Sequence, residues 1–186
     1  MKTNGTSTNP VDSALQAKQE RFMNLLRPFH KRLERFALTM TRNREDAKDV
    51  VGETVLLAYE HLEQLRNDDA FLGFLFTIAS RVSQRRTFRR REETATEEQV
   101  EALFDNFTQP DVALDVQFLY EALEKLPLEQ REAVIMAEIT GLSHKEIQKV
   151  QGGTISGVKV RIFRAKRRLA QLLGVEKKSV IATSQN

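Results

Sequence analysis

The chain has 186 residues, of which 29 are basic and 26 acidic, and this length fits one domain or two small ones. It contains no cysteine, which excludes a disulfide framework and a thiolate metal site, and no apolar run reaches the length of a membrane span. Glycine and proline are sparse and no long alternating run of β-branched residues occurs, so we predict an all-α protein. No signal-peptide pattern opens the chain, and a cytoplasmic protein without membrane insertion is expected.

The first half of the sequence predicts a short tail followed by a helical domain. Residues 1–11 have almost nothing to bury and are expected to be disordered. The spacing of apolar residues predicts a domain over residues 12–92, with helices that begin near Asp12, Pro28, Asn43 and Phe71. The third helix is expected to run to about Leu65, and its predicted buried positions are Val51, Val55, Ala58, Leu62 and Leu65.

Three acids lie along one side of the third predicted helix. Asp46, Asp49 and Glu53 have i, i+3 and i+7 spacing, which places them in one stripe near the helix start. Acids near a helix start compensate the helix dipole and stabilise it by up to about 1 kcal/mol each. Glu53 lies well beyond the first turn, where that effect fades. A docking surface for a basic partner is therefore an equally supported alternative.

The fourth predicted helix combines an apolar face with an arginine-rich end. Phe71 belongs to the apolar face, and we assign it to the core. The basic end begins near Arg81 and includes an aromatic residue, Phe88. Arginines beside aromatic side chains suit phosphate contacts and base stacking. The alternative is an ordinary core helix with a frayed basic end, which we favour less for the arginine cluster.

An acidic segment separates this domain from a second one. From Glu92 to Glu129 there are eleven acids and a single base. We predict a flexible linker over residues 93–113, a second small domain over residues 114–175 and a disordered tail over residues 176–186. Two cationic surfaces joined by an acidic spacer indicate two nucleic-acid contacts.

The second domain contains a helix-turn-helix pattern. Ser143 followed three residues later by Glu146 forms a capping box, which predicts a helix start. Gly152 and Gly153 can supply the positive φ that ends this short helix, and Thr154 can cap the next one. The apolar residues of that next helix recur at helical spacing, so one of its faces is buried. A short capped helix, a glycine turn and a longer helix are together typical of a DNA-binding helix-turn-helix motif.

The longer helix is strongly basic. Residues 158–173 contain no acid and six cations, which are Lys159, Arg161, Arg164, Lys166, Arg167 and Arg168. Basic residues commonly occupy exposed faces, so a solvated helix is the simpler alternative. A solvated helix, however, usually mixes Glu with Lys in supporting pairs, and a polyanion would relieve the repulsion among six like charges. The pattern therefore favours nucleic-acid binding.

Over residues 14–173 the chain resembles the bacterial RNA polymerase sigma factors of the extracytoplasmic-function (ECF) group. The segment DAKDVVGETVLLAY (46–59) resembles the part of region 2 that docks on the clamp helices of the largest polymerase subunit. The segment FLGFLFTIA (71–79) and the arginines after it resemble the part of region 2 that melts and reads the −10 element. Residues 126–169, which begin LPLEQREAV, resemble region 4, which reads the −35 element.

The resemblance implies two small helical domains and a role for each motif. The acids Asp46, Asp49 and Glu53 are expected to bind polymerase. The expected −10 contacts are Phe74, Arg81, Arg85, Arg86 and Arg89. The expected −35 contacts are Thr154, Ser156, Lys159, Val160, Arg161, Arg164, Arg167 and Arg168. The chain departs from the family pattern at Gly52, where Gln is frequent, at Arg81 and Arg85, where Asn and Asp are frequent, and at Gly157.

We therefore expect a sigma factor that binds core RNA polymerase and promoter DNA, is controlled by an anti-sigma factor, and is neither an enzyme nor dependent on a cofactor. The departures motivate one alternative, an interaction module that binds polymerase or an anti-sigma protein without initiating transcription. A second alternative is a helix-turn-helix regulator that acts on duplex DNA without polymerase.

Overall fold

The structure is a computed structural model that describes residues 10–93 and 110–174, with side chains described within residues 12–87 and 115–174. This part of the chain is helical and has no strand, in agreement with the predicted all-α fold. Its helices are α1 (Pro10–Leu26), α2 (His30–Thr41), α3 (Arg44–Glu60), α4 (Phe71–Glu93), α5 (Pro110–Glu124), α6 (Leu128–Val134, continued by a π-helical segment, Ile135–Ile139), α7 (His144–Gln151) and α8 (Ile155–Leu172). None of these helices is long and apolar enough to cross a bilayer. Most of both predicted tails and of the predicted linker lies outside the described residues.

Capping side chains fix where three of the helices begin, as the sequence predicts. Asn43 Oδ1 accepts hydrogen bonds from two amides of the first turn of α3, at 2.8 and 3.0 Å. Ser143 and Glu146 form the predicted capping box of α7, and Thr154 Oγ1 accepts an amide hydrogen bond of α8 at 3.0 Å. The two glycines between α7 and α8 have φ angles of 73° and 80°, so the tight turn is confirmed.

The helices α1 to α4 enclose an aromatic core. Phe36, Phe71 and Phe76 are fully buried, and the rings of Phe36 and Phe76 meet edge to face with centroids 5.6 Å apart. The helix α4 packs against both α2 and α3. This packing brings the arginine-rich part of α4 beside the acidic side of α3.

The helix α3 differs from the prediction in its end and in its buried face. It ends at Glu60, and Leu62 belongs to a separate short 3₁₀ turn, so the helix does not reach Leu65. Ala58 and Leu62 are fully buried as predicted, whereas Val51, Val55 and Leu65 are only partly buried. The buried residues of α3 are Ala47, Val50, Thr54 and Ala58. The most deeply buried face is turned away from the predicted one because α3 lies against α2 and α4, and this tertiary contact turns Thr54 inward although an apolar pattern alone selects its neighbour.

The second half of the chain forms a smaller unit around α8. The fully buried face of this helix consists of Val158, Ile162 and Ala165, which pack against α6 and α7. Ile147 is the buried residue of α7. The opposite side of α8, which carries Val160 and Phe163, is exposed.

The two halves also pack against each other. The helix α7 lies against α4, and the π-helical segment lies against α2. Glu132 of α6 is only 3% exposed and accepts hydrogen bonds from Ser80 Oγ at 2.7 Å and Gln84 Nε2 at 2.9 Å, both from α4. Arg32 of α2 donates to two carbonyl oxygens of the turn before α7, at 2.8 and 2.9 Å. The first helix of the helix-turn-helix therefore contacts the helix that carries the predicted −10 residues.

Candidate nucleic-acid and polymerase interface

The outer face of α8 is a continuous exposed surface opposite the buried stripe. Ser156, Val160, Phe163 and Arg167 follow one another at i, i+4, i+7 and i+11, and all four are exposed. Further exposed cations flank this row, namely Lys159, Arg164 and Arg168. Thr154 lies at the start of α8, where its hydroxyl serves as the helix cap. The structure thus brings most of the predicted −35 residues together on one face that can enter a major groove.

Two cations of α8 are paired with residues of the same chain. Arg161 lies 3.2 Å from Gln151 Oε1 and 3.5 Å from Glu129 Oε2, and its side chain is only 24% exposed. Lys166 Nζ lies 2.8 Å from a carboxylate oxygen of Glu138. Arg161 is therefore held on the flank of α8 that faces α6 and α7. Its predicted contact with bases requires those interactions to break.

Phe163 is a candidate contact that the sequence reasoning missed. It is 65% exposed and lies between the exposed Val160 and Arg167 on the outer face. The signal was present in the sequence, because Phe163 falls outside the helical spacing of the buried stripe. A large apolar side chain on the outer face of a cationic helix suits contact with a thymine methyl group.

In the first half, the predicted docking acids and the predicted −10 arginines meet. Arg86 contacts Asp46 Oδ1 at 3.0 Å and Asp49 Oδ2 at 2.7 Å. Arg85 contacts Glu53 Oε1 at 2.8 Å. The acids lie on α3 and the arginines on α4, so these ion pairs cross between neighbouring helices. The sequence predicted two separate surfaces here, whereas the structure joins them along one edge.

The other predicted −10 residues line a pocket. Phe74 and Arg81 contribute to an open cavity of about 400 Å³ together with residues of the loop between α3 and α4. Lys149 of α7 also lines it, so the packed second half covers part of this cavity. The side chain of Arg89 lies outside the part of the chain whose side chains the structure describes. An aromatic wall and a guanidinium rim suit an unstacked base and its phosphate.

Exposed residues on α3 extend the acidic stripe. Leu56 is 56% exposed, and the exposed Gly52 lies between it and Asp49 along the helix. A β-carbon added to Gly52 would meet no atom within 4 Å. An acidic stripe with an exposed leucine beside it has the composition of a protein-docking surface, since apolar anchors and complementary charge commonly occur together.

The described residues combine a helix-turn-helix with a pocket of aromatic and cationic side chains beside its first helix, which are the features of a DNA-binding transcription factor. Two family models match the chain, "Sigma-70 region 2" over residues 25–93 and "Sigma-70, region 4" over residues 119–169. The chain belongs to the ECF RNA polymerase sigma factors, whose function is to direct polymerase to promoters.

Similar proteins support this membership over most of the chain. The ECF sigma factor SigM of Mycobacterium tuberculosis is 34% identical over 154 residues, which are 82% of this chain and 77% of that protein. EcfG of Rhodopseudomonas palustris is 31% identical over 148 residues, covering 77% and 80% of the two chains. Among solved structures, the sigma factor RpoE of Bartonella quintana, crystallised with the anti-sigma factor NepR, has a TM-score of 0.63 at 25% identity, with 84% of this chain and 98% of that chain covered.

Proposed function

We propose that this sigma factor uses three surfaces to start transcription. The acidic side of α3 binds a basic surface of core RNA polymerase. The pocket lined by Phe74 and Arg81 holds part of the melted −10 strand, and the outer face of α8 reads the −35 element in the major groove. The protein acts by binding and carries out no catalytic step, and it works in the cytoplasm, where polymerase and promoters are found.

The observation that carries this proposal is the outer face of α8. Its exposed row combines a hydroxyl, two apolar side chains and an arginine, with further cations on both sides. Cations at the edges of such a face contact phosphates and fix the register, while short polar and apolar groups at its centre contact base edges. The caps of α7 and α8 fix where both helices begin, and this sets the position of the face that would read bases.

Arginines in the −10 region favour recognition of the phosphate charge over recognition of individual bases. Arg81 and Arg85 stand where relatives often place Asn and Asp, and a guanidinium only donates hydrogen bonds. It can hold phosphate or the acceptors of guanine, but it cannot accept from an exocyclic amine. We therefore expect sequence discrimination to rest more on the −35 element in this protein than in its relatives.

A protein antagonist is the expected regulator. The similar RpoE structure contains an anti-sigma factor, and so does the structure of CnrH with the cytosolic domain of CnrY, at 24% identity and a TM-score of 0.64. We propose that an anti-sigma factor likewise controls this chain. Exposed apolar residues beside charge, such as Leu56 on α3, are the kind of anchor that such a partner would cover.

Co-purification with core polymerase tests the docking assignment. Glu53→Lys reverses one charge of the stripe, and its affinity for core should fall clearly while its melting temperature stays nearly constant, because exposed pairs contribute at most about 1 kcal/mol. Glu34→Lys makes the same change on an exposed part of α2 and serves as the control. If both variants bound core as tightly as the parent, α3 would not be the docking surface. A parent chain that bound promoter duplex but no core would instead support a polymerase-independent regulator.

A further inference from the structure

A groove between α5 and the end of α8 lies outside the surfaces assigned to polymerase and DNA. It is open to solvent and has a volume of about 500 Å³. Its apolar wall consists of Phe118 and Ala122 of α5 together with Leu172 and Leu173 at the end of α8. Phe118 is 54% exposed and Leu173 is 37% exposed. Large apolar side chains that lie exposed beside one another favour an apolar occupant.

The rim of this groove carries a net negative charge. Asp115 is exposed and Glu121 is half-buried, and both line the groove, with Lys125 as the basic residue among the described lining residues. Glu121 accepts a hydrogen bond from Gln117 Nε2 at 3.1 Å, a neutral donor that does not cancel its charge. Neither carboxylate forms an ion pair with a described cation. An occupant that combines apolar side chains with positive charge would therefore complement the groove.

The segment that follows α8, residues 175–181, has this combination. Its sequence is VEKKSVI, with two adjacent lysines, a single acid and two adjacent β-branched apolar residues. Gly174 has a φ of 70°, and a left-handed residue at the end of a helix turns the chain away from the helix axis. The segment therefore begins beside the wall of the groove that Leu172 and Leu173 form.

The length of this segment is sufficient for it to run along the groove. Asp115 and Lys125, near the two ends of the α5 wall, are about 15 Å apart at the helical rise per residue. Seven extended residues span up to about 23–25 Å. The segment before α5 is a poorer match in charge, because residues 94–109 contain four acids and no base.

We propose that residues 175–181 fold back into this groove and act as its built-in cover. Val180 and Ile181 then pack against Phe118, and the two lysines lie beside the acidic rim. The docked segment closes the groove in the free chain, so a protein that binds there must first displace it. This regulation concerns a surface that the proposed function leaves unused, and it does not depend on that function.

A single tryptophan can measure how far the segment covers the groove, because the chain contains no tryptophan of its own. Phe118→Trp keeps an aromatic ring in the groove wall, and acrylamide quenching of its fluorescence measures its accessibility. In this background, Val180→Ser with Ile181→Ser should shift the equilibrium toward the undocked segment by about tenfold or more, since apolar burial drives docking. Quenching should therefore become stronger. Thr183→Ala with Ser184→Ala is the matched control in the same stretch of chain and should leave quenching unchanged.

The same tryptophan tests the contribution of the acidic rim. Asp115→Asn should weaken docking by about fivefold at most, the limit for an exposed ion pair, and high salt should likewise increase quenching. Glu20→Gln removes an exposed acid from α1 and should have no effect. Leu15→Trp, at a half-exposed position of α1, should be quenched equally with and without the two serine substitutions.

Disulfide formation gives a second measurement that does not depend on fluorescence. The chain contains no cysteine, so Phe118→Cys with Ile181→Cys introduces one pair. A disulfide needs Cα atoms about 4.4–6.8 Å apart, so this pair should oxidise rapidly within one chain if the segment occupies the groove. Leu15→Cys with Ile181→Cys is the control pair and should oxidise much more slowly.

Three results would overturn the proposal. The first is equal quenching of the Phe118→Trp chain with and without the two serine substitutions. The second is an equal rate of oxidation for the two cysteine pairs. The third is protection of the tryptophan that rises with protein concentration, because a second copy of the chain would then be the occupant of the groove.

Discussion

Phe163 and Arg161 are two residues apart on α8 and have opposite surroundings. Phe163 is exposed on the outer face, whereas Arg161 is held by Gln151 and Glu129. Charge alone would assign the arginine to DNA and the phenylalanine to the core. Helical position decides otherwise, because each residue turns by about 100° from the one before it, a consequence of 3.6 residues per turn. A side chain beside the buried stripe of α8 can contact residues of the neighbouring helices, whereas one on the opposite side is too far from them.

We predict that Phe163→Ala changes the choice of −35 sequence more than it changes overall affinity. Loss of an apolar contact to a thymine methyl group should weaken preference at one position and leave the salt dependence of binding unchanged. Holoenzyme binding to a set of single −35 substitutions measures this. Phe118→Ala removes another exposed ring, on α5, and should alter neither property. Arg167→Ala should weaken binding to all sequences and lower the log–log salt slope by about 0.9.

Gly52 offers a gain in stability without a change of fold. It is exposed in the interior of α3, where a β-carbon would meet nothing within 4 Å. Gly52→Ala should therefore stabilise the chain by about 0.5–1 kcal/mol, and chemical denaturation measures this. Gly152→Ala is the contrasting variant, because Gly152 has a φ of 73° and an alanine there is strained. Equal effects of the two substitutions would show that backbone conformation does not control them.

At the scale of the element, local signals identified helix starts and predicted one helix face only in part. The caps at Asn43, Ser143 and Thr154 follow from side chains that bond amides two or three residues away, so the sequence contains all the information. The buried face of α3 depends on α2 and α4, which surround it on two sides. Thr54 is buried there although it is polar, and no apolar periodicity could select it. The outward face of α8 was predictable because a single apolar stripe defines it.

The α7–α8 turn depends on a contact that the sequence did not reveal. Arg161 crosses from α8 to Gln151 at the end of α7 and to Glu129 of α6. We predict that Arg161→Ala lowers the melting temperature and weakens binding to all −35 sequences by a similar factor, because α8 loses part of its support. Lys159→Ala, which removes an exposed cation of α8, should alter preference among sequences. A change of base preference in Arg161→Ala would show that its guanidinium leaves Gln151 and reads a base.

At the scale of the molecule, the two halves of the chain pack together at an interface that could not be predicted from the sequence. Contacts between distant segments, such as Arg32 with the turn before α7 and Glu132 with α4, have no periodic signal. This interface places Lys149 of α7 at the pocket lined by Phe74 and Arg81. A strand entering this pocket would therefore meet α7 as well, so we expect the halves to separate when −10 DNA is bound.

Hydrogen exchange can measure the stability of the interface between the two halves. Arg32→Ala removes two charge-assisted hydrogen bonds to the turn before α7, and such bonds contribute about 1.5–3 kcal/mol each. Amides of α7 and of the preceding turn should exchange about tenfold faster or more, which corresponds to about 1.4 kcal/mol. Lys31→Ala removes a neighbouring exposed cation and should leave exchange unchanged. Identical exchange in both variants would mean that apolar packing alone holds the halves together.

The most direct test of the whole account is run-off transcription by core polymerase from a library of templates with randomised −35 and −10 segments. We predict that products appear only when this chain is added, that the selected templates share a strong −35 sequence and a weaker −10 sequence, and that Phe163→Ala shifts only the −35 preference. Binding of the chain to core without any product would contradict the account and support an interaction module. Products without shared elements would show that the outer face of α8 does not read the promoter.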